Sequence, residues 1–287
     1  MFDWESMRHF LAVGREKTLS GAARVLGVDH ATVSRRLASL EGELQLALVE
    51  RLPRACHLTD AGRHLFEIAE AMETGAFAVE RAAQAVIPSL TGRVTLSAPP
   101  VLVTHLLAMH LSDFSTRYPG ITLSVASQPQ QVSLVRREAD IALRLMRPTE
   151  ASSIVRRIGR MEFGIYASKR YSKLDIPSAW EFITYTSEFA ETPQQKWLSE
   201  IMDGRRASCE FSDINSQLVA ALANAGLAAL PIFIGNRHRS LFRLQADSWN
   251  FSRDVWVIFH KDLKTSVSIR AVIDFLVEAL ARNGLSA

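Results

Sequence analysis

The stretch TLSGAARVLGVDHATVSRRLASLE, residues 18–41, decides how this chain is read. It predicts two short helices around a tight turn. Thr18 and Ser20 can cap the first, because a hydroxyl oxygen accepts from amides that a helix start leaves unpaired. Ala22, Ala23, Val25 and Leu26 form its apolar face, and Gly27 supplies a stop. Asp29 can cap the second helix, in which Val33, Leu37 and Leu40 recur at spacings of four and three. That stripe leaves His30, Ala31, Thr32, Ser34 and Arg35 off the buried side, near the leading end. In a helix-turn-helix, this end of the second helix enters the major groove. Residues 30–40 carry Arg35 and Arg36 and no acid, so nothing there repels phosphate. Paired amphipathic helices around a glycine also occur in proteins that never touch DNA, so the flanking sequence must arbitrate.

Downstream, ELQLALVERLPRACHLTDAG, residues 43–62, reads as a helix end, a strand, a basic turn and a second strand. Arg51 and Arg54 flank Pro53 there, where a wing could hold two guanidinium groups against a nucleic-acid backbone. From Asp60 to Val86 there is no proline, and Leu65, Ile68, Met72, Val79, Ala83 and Val86 form a stripe at helical or heptad-like spacing. A helix of that length spans roughly 40 Å and has too little apolar mass to stand alone. Its stripe packs either on its own domain or on the same helix of a second chain. IPSLTGR, with Pro88 and Gly92 as breakers, marks the domain boundary.

Beyond Gly92 strands and helices alternate. VTLSA, ITLSVAS, ADIALRL and GIYAS read as strands, with VLVTHLLAMHLSDFSTRY and QVSLVRREA as helices between them. The βαβα order implies an open parallel sheet covered on both faces. A second α/β set comes after Tyr171, and VSIRAVIDFLVEALARN closes the chain as an amphipathic helix.

Composition bounds the rest. The 287 residues are 48% hydrophobic and 22% charged, an ordinary globular balance. The net charge of +3 is weak evidence for nucleic acid, and residues 1–66 hold nine Lys or Arg against eight Asp or Glu. The case for DNA therefore rests on where the charge sits. MFDWESMRHF has acids and no apolar core of a signal peptide, and LVAALANAGLAALPIFIG is broken by Asn224, Gly226 and Pro231. A soluble, cytoplasmic protein without a membrane span is expected. Cys56 and Cys209 lie far apart in sequence and read as structural thiols.

MRHFLAVGREKTLSGAARVLGVDHATVSRRLASLE and LVERLPRACHLTDAG together resemble the N-terminal winged helix of LysR-type transcriptional regulators. GRVTLSAPP, READIALRL, ANAGLAALP and VIDFLVEAL resemble that family's effector domain, in the same order and spacing. The resemblance implies a winged helix-turn-helix over 1–60, a dimerising linker helix over 60–88 and an effector domain over 91–287. The last would be two-lobed and periplasmic-binding-protein-like, with lobe I about 92–163 and 261–287 and lobe II about 164–260. The chain would cross between lobes near Phe163–Ala167 and Ile258–Lys261. It further implies a homodimer that assembles into a homotetramer, double-stranded operator DNA and a small-molecule effector as ligands, and RNA polymerase as a further partner. Gln45 and Val49 stand where the family usually has Gly and Phe, and Asn224 where similar sequences often have Gly. A non-Gly residue in a left-handed cap costs on the order of 1 kcal/mol.

In the expected interface His30, Ala31, Thr32, Ser34 and Arg35 read bases, while Ser20, Arg36, Arg51, Arg54 and Thr59 anchor phosphates. In open α/β sheets ligands sit beyond the carboxyl ends of strands. That rule selects Ser97, Ala98, Pro99 and Pro100, then Gln128, then Arg144, then Asn215 and Ser216, with Tyr166 at the crossing. Capping alone would account for the SDINS residues, and Arg144 would otherwise be an exposed or salt-bridged arginine. The effector is expected to be a small organic acid or an aromatic.

Two other classes fit poorly. An enzyme would need chemistry that is missing: there is no GxSxG, GxGxxG, P-loop or HExxH, and the eight histidines form no ligand-spaced cluster. Neither catalytic residues, a cofactor nor a metal is expected. A solute-binding transport component shares the expected C-terminal fold, but fold alone assigns no function, and residues 18–41 tell against it.

Overall fold

Each of the first three helices begins on a cap supplied by its own sequence. In the computed structural model, which describes residues 2–86, 89–127, 139–148, 153–246 and 249–286, α1 (Trp4–Glu16) starts on Asp3, α2 (Leu19–Leu26) on Thr18 and α3 (His30–Leu44) on Asp29. Thr18 Oγ1 accepts from the Gly21 amide at 3.0 Å, and Asp29 Oδ1 from that of Thr32 at 2.7 Å. Ser20 lies inside α2 and is exposed, so capping falls to Thr18. Gly27 ends α2 in the left-handed conformation, φ 68°, and the next amide, on Val28, returns to Ala23 O at 3.0 Å.

Phe10, Leu11, Ala22, Val33, Leu37, Leu40 and Leu48 form a fully buried core under these helices. Val25, expected on the buried face of α2, is 63% exposed. An eight-residue helix has room for only a narrow buried stripe, and here Gly21, Ala22 and Ala23 fill it. β1 (Val49–Leu52) and β2 (Ala55–Leu58) form an antiparallel hairpin. α4 (Asp60–Val86) runs on from it, and Gly62 lets it approach, since a Cβ there would stand 2.1 Å from Leu48 O. Arg15 ties α1 to α4 through Glu73 at 2.6 Å and Glu70 at 3.3 Å.

The chain divides into two compact units, Met1–Ala83 and Gln84–Ala287. In the second, β3 (Gly92–Ala98), β4 (Ile121–Ser127) and β5 (Ile141–Arg144) pair parallel, with β3 in the middle. β7 (Phe182–Tyr185), β8 (Ala207–Phe211) and β9 (Leu227–Pro231) form a second parallel group around β7. β6 (Ser153–Ser168) and β11 (Phe251–His260) join the groups, and β10 (Leu241–Leu244) pairs with the end of β6. The sheet is therefore mixed, not the open parallel sheet expected. β6 carries the chain out to the second group and β11 brings it back, so the two run antiparallel to each other, with β11 antiparallel to β5 and β6 antiparallel to β9. GIYAS is the last part of β6 and not a separate strand.

The outward passage runs along β6, whose Phe163 already pairs with Pro231 of β9. The return runs along β11 from Phe251, and Ile258 pairs with Ala142 and Val155, so this passage precedes the expected Ile258–Lys261. The expected helix 101–118 is segmented. Pro100–Leu102 (α5) leads into a wide π turn, Val103–Leu107, a tight 3-10 turn, Ala108–His110, and α6 (Leu111–Arg117). α7 (Pro193–Met202), α8 (Ile214–Leu222), the short α9 (Ile232–Gly235) and α10 (Val267–Arg282) complete the domain. The expected helix at QVSLVRREA and the site residue Gln128 lie outside the described residues. No helix among the described residues is long and apolar enough to cross a membrane.

Candidate nucleic-acid interface and ligand cleft

α3 turns Val33, Leu37 and Leu40 into the core, which fixes the opposite face toward solvent. His30, Ala31 and Arg35 are exposed there, and Thr32, Ser34 and Arg36 are partly so. The Arg35 side chain makes no ion pair or hydrogen bond among the described residues, which leaves its planar fork of donors available. Thr32 is half committed, since its hydroxyl donates to Asp29 Oδ2 at 2.9 Å. Arg36 pairs with Asp3 at 2.8 Å, an exposed contact that a phosphate could replace.

The wing is fastened to α3. Glu41 Oε1 accepts from the Leu48 amide at 2.8 Å and the Val49 amide at 3.1 Å, which sets where β1 begins. Arg51 Nη1 reaches Ser34 Oγ at 3.0 Å, and Arg54 stands exposed in the turn beyond. Thr59 serves the fold: its hydroxyl donates to Ala47 O at 2.8 Å and accepts from the Gly62 amide at 2.9 Å. Ser20 is exposed on α2. Gln45 ends α3 at φ 55°, left-handed despite its side chain, and its amide returns to Glu41 O. Along α4, Ile68, Met72 and Val79 are exposed, Val79 at 71%.

Within the second unit a cavity of about 610 Å³ opens between the strand ends. Pro99 and Pro100 after β3, Arg144 at the end of β5, Tyr185 at the end of β7 and Asn215 at the start of α8 line it. Four residues picked by the strand-end rule thus meet in one cleft: Pro99, Pro100, Arg144 and Asn215. Ser97, Ala98, Tyr166 and Ser216 are not among its lining. Ser97 is fully buried and serves Arg144, accepting from Nη2 at 3.2 Å through Oγ and from Nη1 at 3.3 Å through its carbonyl. Tyr166 is 1% exposed, and its hydroxyl donates to Asn236 Oδ1 at 2.7 Å. Burial pushes that phenol up to about 12. Ser216 is tied to the capping carboxylate of Asp213, with its amide at 3.0 Å and its hydroxyl at 2.6 Å.

Asn215 Oδ1 meets His105 Nε2 at 2.9 Å, joining α8 to the π turn. Burial, assisted by the Arg237 and His238 charges, lowers the His105 pKa against the opposing effect of the Asn215 bond. Arg237 also donates to the His105 carbonyl at 2.6 Å.

Most of the other lining residues escaped the sequence reading, among them the polar Tyr185, Gln194, Arg147 and Arg253. Tyr185 ends a strand and the same rule would have found it. Arg253 opens β11 instead, where an arginine ahead of an apolar run reads as a solvated strand start. Gln194 donates to the Tyr185 hydroxyl at 3.1 Å, and burial raises that phenol to about 12. Arg147 lies over the Trp256 ring at 5.5 Å. Among the described residues no three His, Cys, Asp or Glu side chains converge as a metal set. Cys56 and Cys209 are both free thiols.

Residues 4–63 match the sequence family "Bacterial regulatory helix-turn-helix protein, lysR family", and residues 89–281 match "LysR substrate binding domain". The Mau operon transcriptional activator of Paracoccus denitrificans is 26% identical over 286 residues, covering 97% of each chain. HTH-type transcriptional regulator CrgA of Neisseria meningitidis serogroup C (strain 8013) is 28% identical over 293 residues, again covering 97% of each. Full-length CbnR, solved with its target DNA, superposes with a TM-score of 0.59 at 18% identity, covering 98% of this chain and all of that one. At that identity the likeness is one of fold.

Proposed function

This chain belongs to the LysR family of transcriptional regulators, DNA-binding proteins with an effector domain and not enzymes, and from that premise we propose how its own residues divide the work. His30, Ala31, Thr32, Ser34 and Arg35 read base edges in the major groove, where Arg35 can take a guanine in two hydrogen bonds. Arg36, Arg51, Arg54 and Ser20 anchor phosphates, a salt-sensitive contribution blind to sequence. Thr59 contributes indirectly, by starting α4 and so placing the wing.

The single observation that carries this reading is the exposed Arg35 near the leading end of a capped helix, beside a wing bonded to the same helix through Arg51 and Ser34. That CbnR was solved on its target DNA supports it. The exposed Ile68, Met72 and Val79 stripe of α4 joins two chains into a dimer, and dimers pair into a tetramer that works in the cytoplasm beside RNA polymerase. The cleft holds the effector, with Arg144, Asn215, Pro99 and Pro100 in its wall.

A ligand shifts such a system only by binding two arrangements of the protein unequally. The test is DNase footprinting and bend-angle measurement on the operator with and without a ligand shown to bind the cleft. The footprint or the bend should change on saturation. Identical footprints and bends would remove the cleft from control of DNA binding.

A further inference from the structure

The cleft presents three guanidinium groups, and they are not equivalent. Arg144 gives its Nη atoms to Ser97 and to Leu143 O, at 2.6–3.3 Å. Arg147 is exposed at the rim over Trp256. The Arg253 side chain leaves β11 half-buried, and its guanidinium has neither an ion pair nor a hydrogen bond among the described residues. Burial lowers its pKa, opposed only by the Tyr185 phenol. A guanidinium does not shed its proton in a protein, so the cost of desolvation stands until an anion arrives.

The surroundings select what that anion can be. Of the two acids in the lining, Asp213 is held by Ser216, and Glu188 is exposed. Asp213 also occupies the start of α8, which denies that helix end to a phosphate. Tyr185 accepts from Gln194 and, with its pKa raised to about 12, keeps a hydroxyl proton to donate. One cation and one neutral donor match a single carboxylate. Much of the remaining wall is apolar, including Val101, Leu145, Phe189 and Ile258.

We propose that Arg253, with the Tyr185 hydroxyl, is the anchoring subsite for the carboxylate of an effector carrying one acid group on an apolar body. The assignment rests on the cleft being the effector site. It places the anchoring charge not on Arg144, the arginine selected by the strand-end rule, but on β11, one of the two strands that join the sheet groups.

The test uses the full chain and calorimetric titration with benzoate, phenylacetate, cinnamate and 4-methylvalerate, each beside its primary amide. At least one acid should bind, and its amide at least tenfold more weakly. Arg253→Gln should lose tenfold or more for that acid without changing amide affinity, and Arg253→Lys should fall between. Without ligand, Arg253→Met should melt no lower than the parent, because it removes an unpaired half-buried charge. Binding of no acid in the panel, equal binding of acid and amide, or unchanged acid affinity in Arg253→Gln would overturn the proposal. Leu145→Trp separates it from the assignment of the cleft itself: acid binding lost there but kept in Arg253→Gln preserves the cleft and removes Arg253. Binding kept in both places the ligand outside the cleft.

Discussion

Arg51 Nη1 donates to Ser34 Oγ at 3.0 Å, tying the first strand of the wing to the exposed side of α3. The guanidinium also stands 3.8 Å from Glu41, whose other carboxylate oxygen holds the start of β1. Placement of the wing and presentation of the reading helix therefore share one side chain.

Arg51→Ala should weaken operator binding roughly tenfold and flatten its salt dependence, because the proposed phosphate contact and the wing's tie go together. Stability should change by less than about 1 kcal/mol, as expected for an exposed pair. Fluorescence anisotropy at two salt concentrations, with a urea melt of the same variant, measures both. Unchanged affinity and slope would leave Arg51 out of the interface.

Two positive-φ positions carry side chains where the resemblance leads one to expect glycine: Gln45 at 55° and Asn224 at 68°. Gln45→Gly should stabilise the chain by about 0.5–1 kcal/mol, since a side chain strains a left-handed backbone and the one local bond it makes here, Nε2 to Gly42 O at 3.4 Å, is long and exposed. Asn224→Gly should gain less, because asparagine tolerates that region. Urea midpoints read the difference, and an equal or reversed order would contradict it.

His105 carries a pH signature. Its pKa is lowered in the folded chain, so the unfolded chain binds a proton first. Its contribution is therefore intact above about 6.5, the ordinary value, and is lost as pH falls from there toward the depressed folded value. His105→Gln should reduce the drop in melting temperature between pH 7.5 and pH 5.5. An identical drop in the variant would show that the ring stays uncharged for some other reason, or titrates alike in both states.

In the proposed assembly the dimer rests on α4. Val79→Glu places a charge on the most exposed of its large apolar side chains among the described residues and should shift sedimentation from dimer toward monomer at micromolar concentration. A variant that sediments as the parent does would move the interface elsewhere.

The helix-turn-helix was legible because its signals are local. Thr18, Gly27 and Asp29 punctuate the chain within a few residues of what they cap, and the Val33, Leu37, Leu40 stripe identifies the buried face unaided. Val25 misled, since an apolar residue on a short helix need not find a core. The sheet was harder. Parallel pairing follows from β–α alternation, but β6 and β11 pair across nearly a hundred residues, and no local pattern announces antiparallel partners so distant. The cleft shows the same divide. Strand ends pointed to Pro99, Arg144 and Asn215, whereas Arg253 becomes a cleft residue only through where β11 lies in the sheet. Tyr166 marks the reverse error: it sits on the crossing strand, yet its hydroxyl turns to Asn236.

In the proposed function, sequence reading by α3 depends most directly on Arg35. Arg35→Ala should leave the melting temperature and circular dichroism of the full chain unchanged, because the side chain is exposed and unbonded among the described residues. Loss of a two-bonded guanine contact costs about 1–3 kcal/mol per site, so operator affinity should fall at least fivefold, with a weaker effect on unrelated DNA. Operator affinity equal to that of the parent, in a folded variant, would contradict the claim that the leading end of α3 reads the sequence.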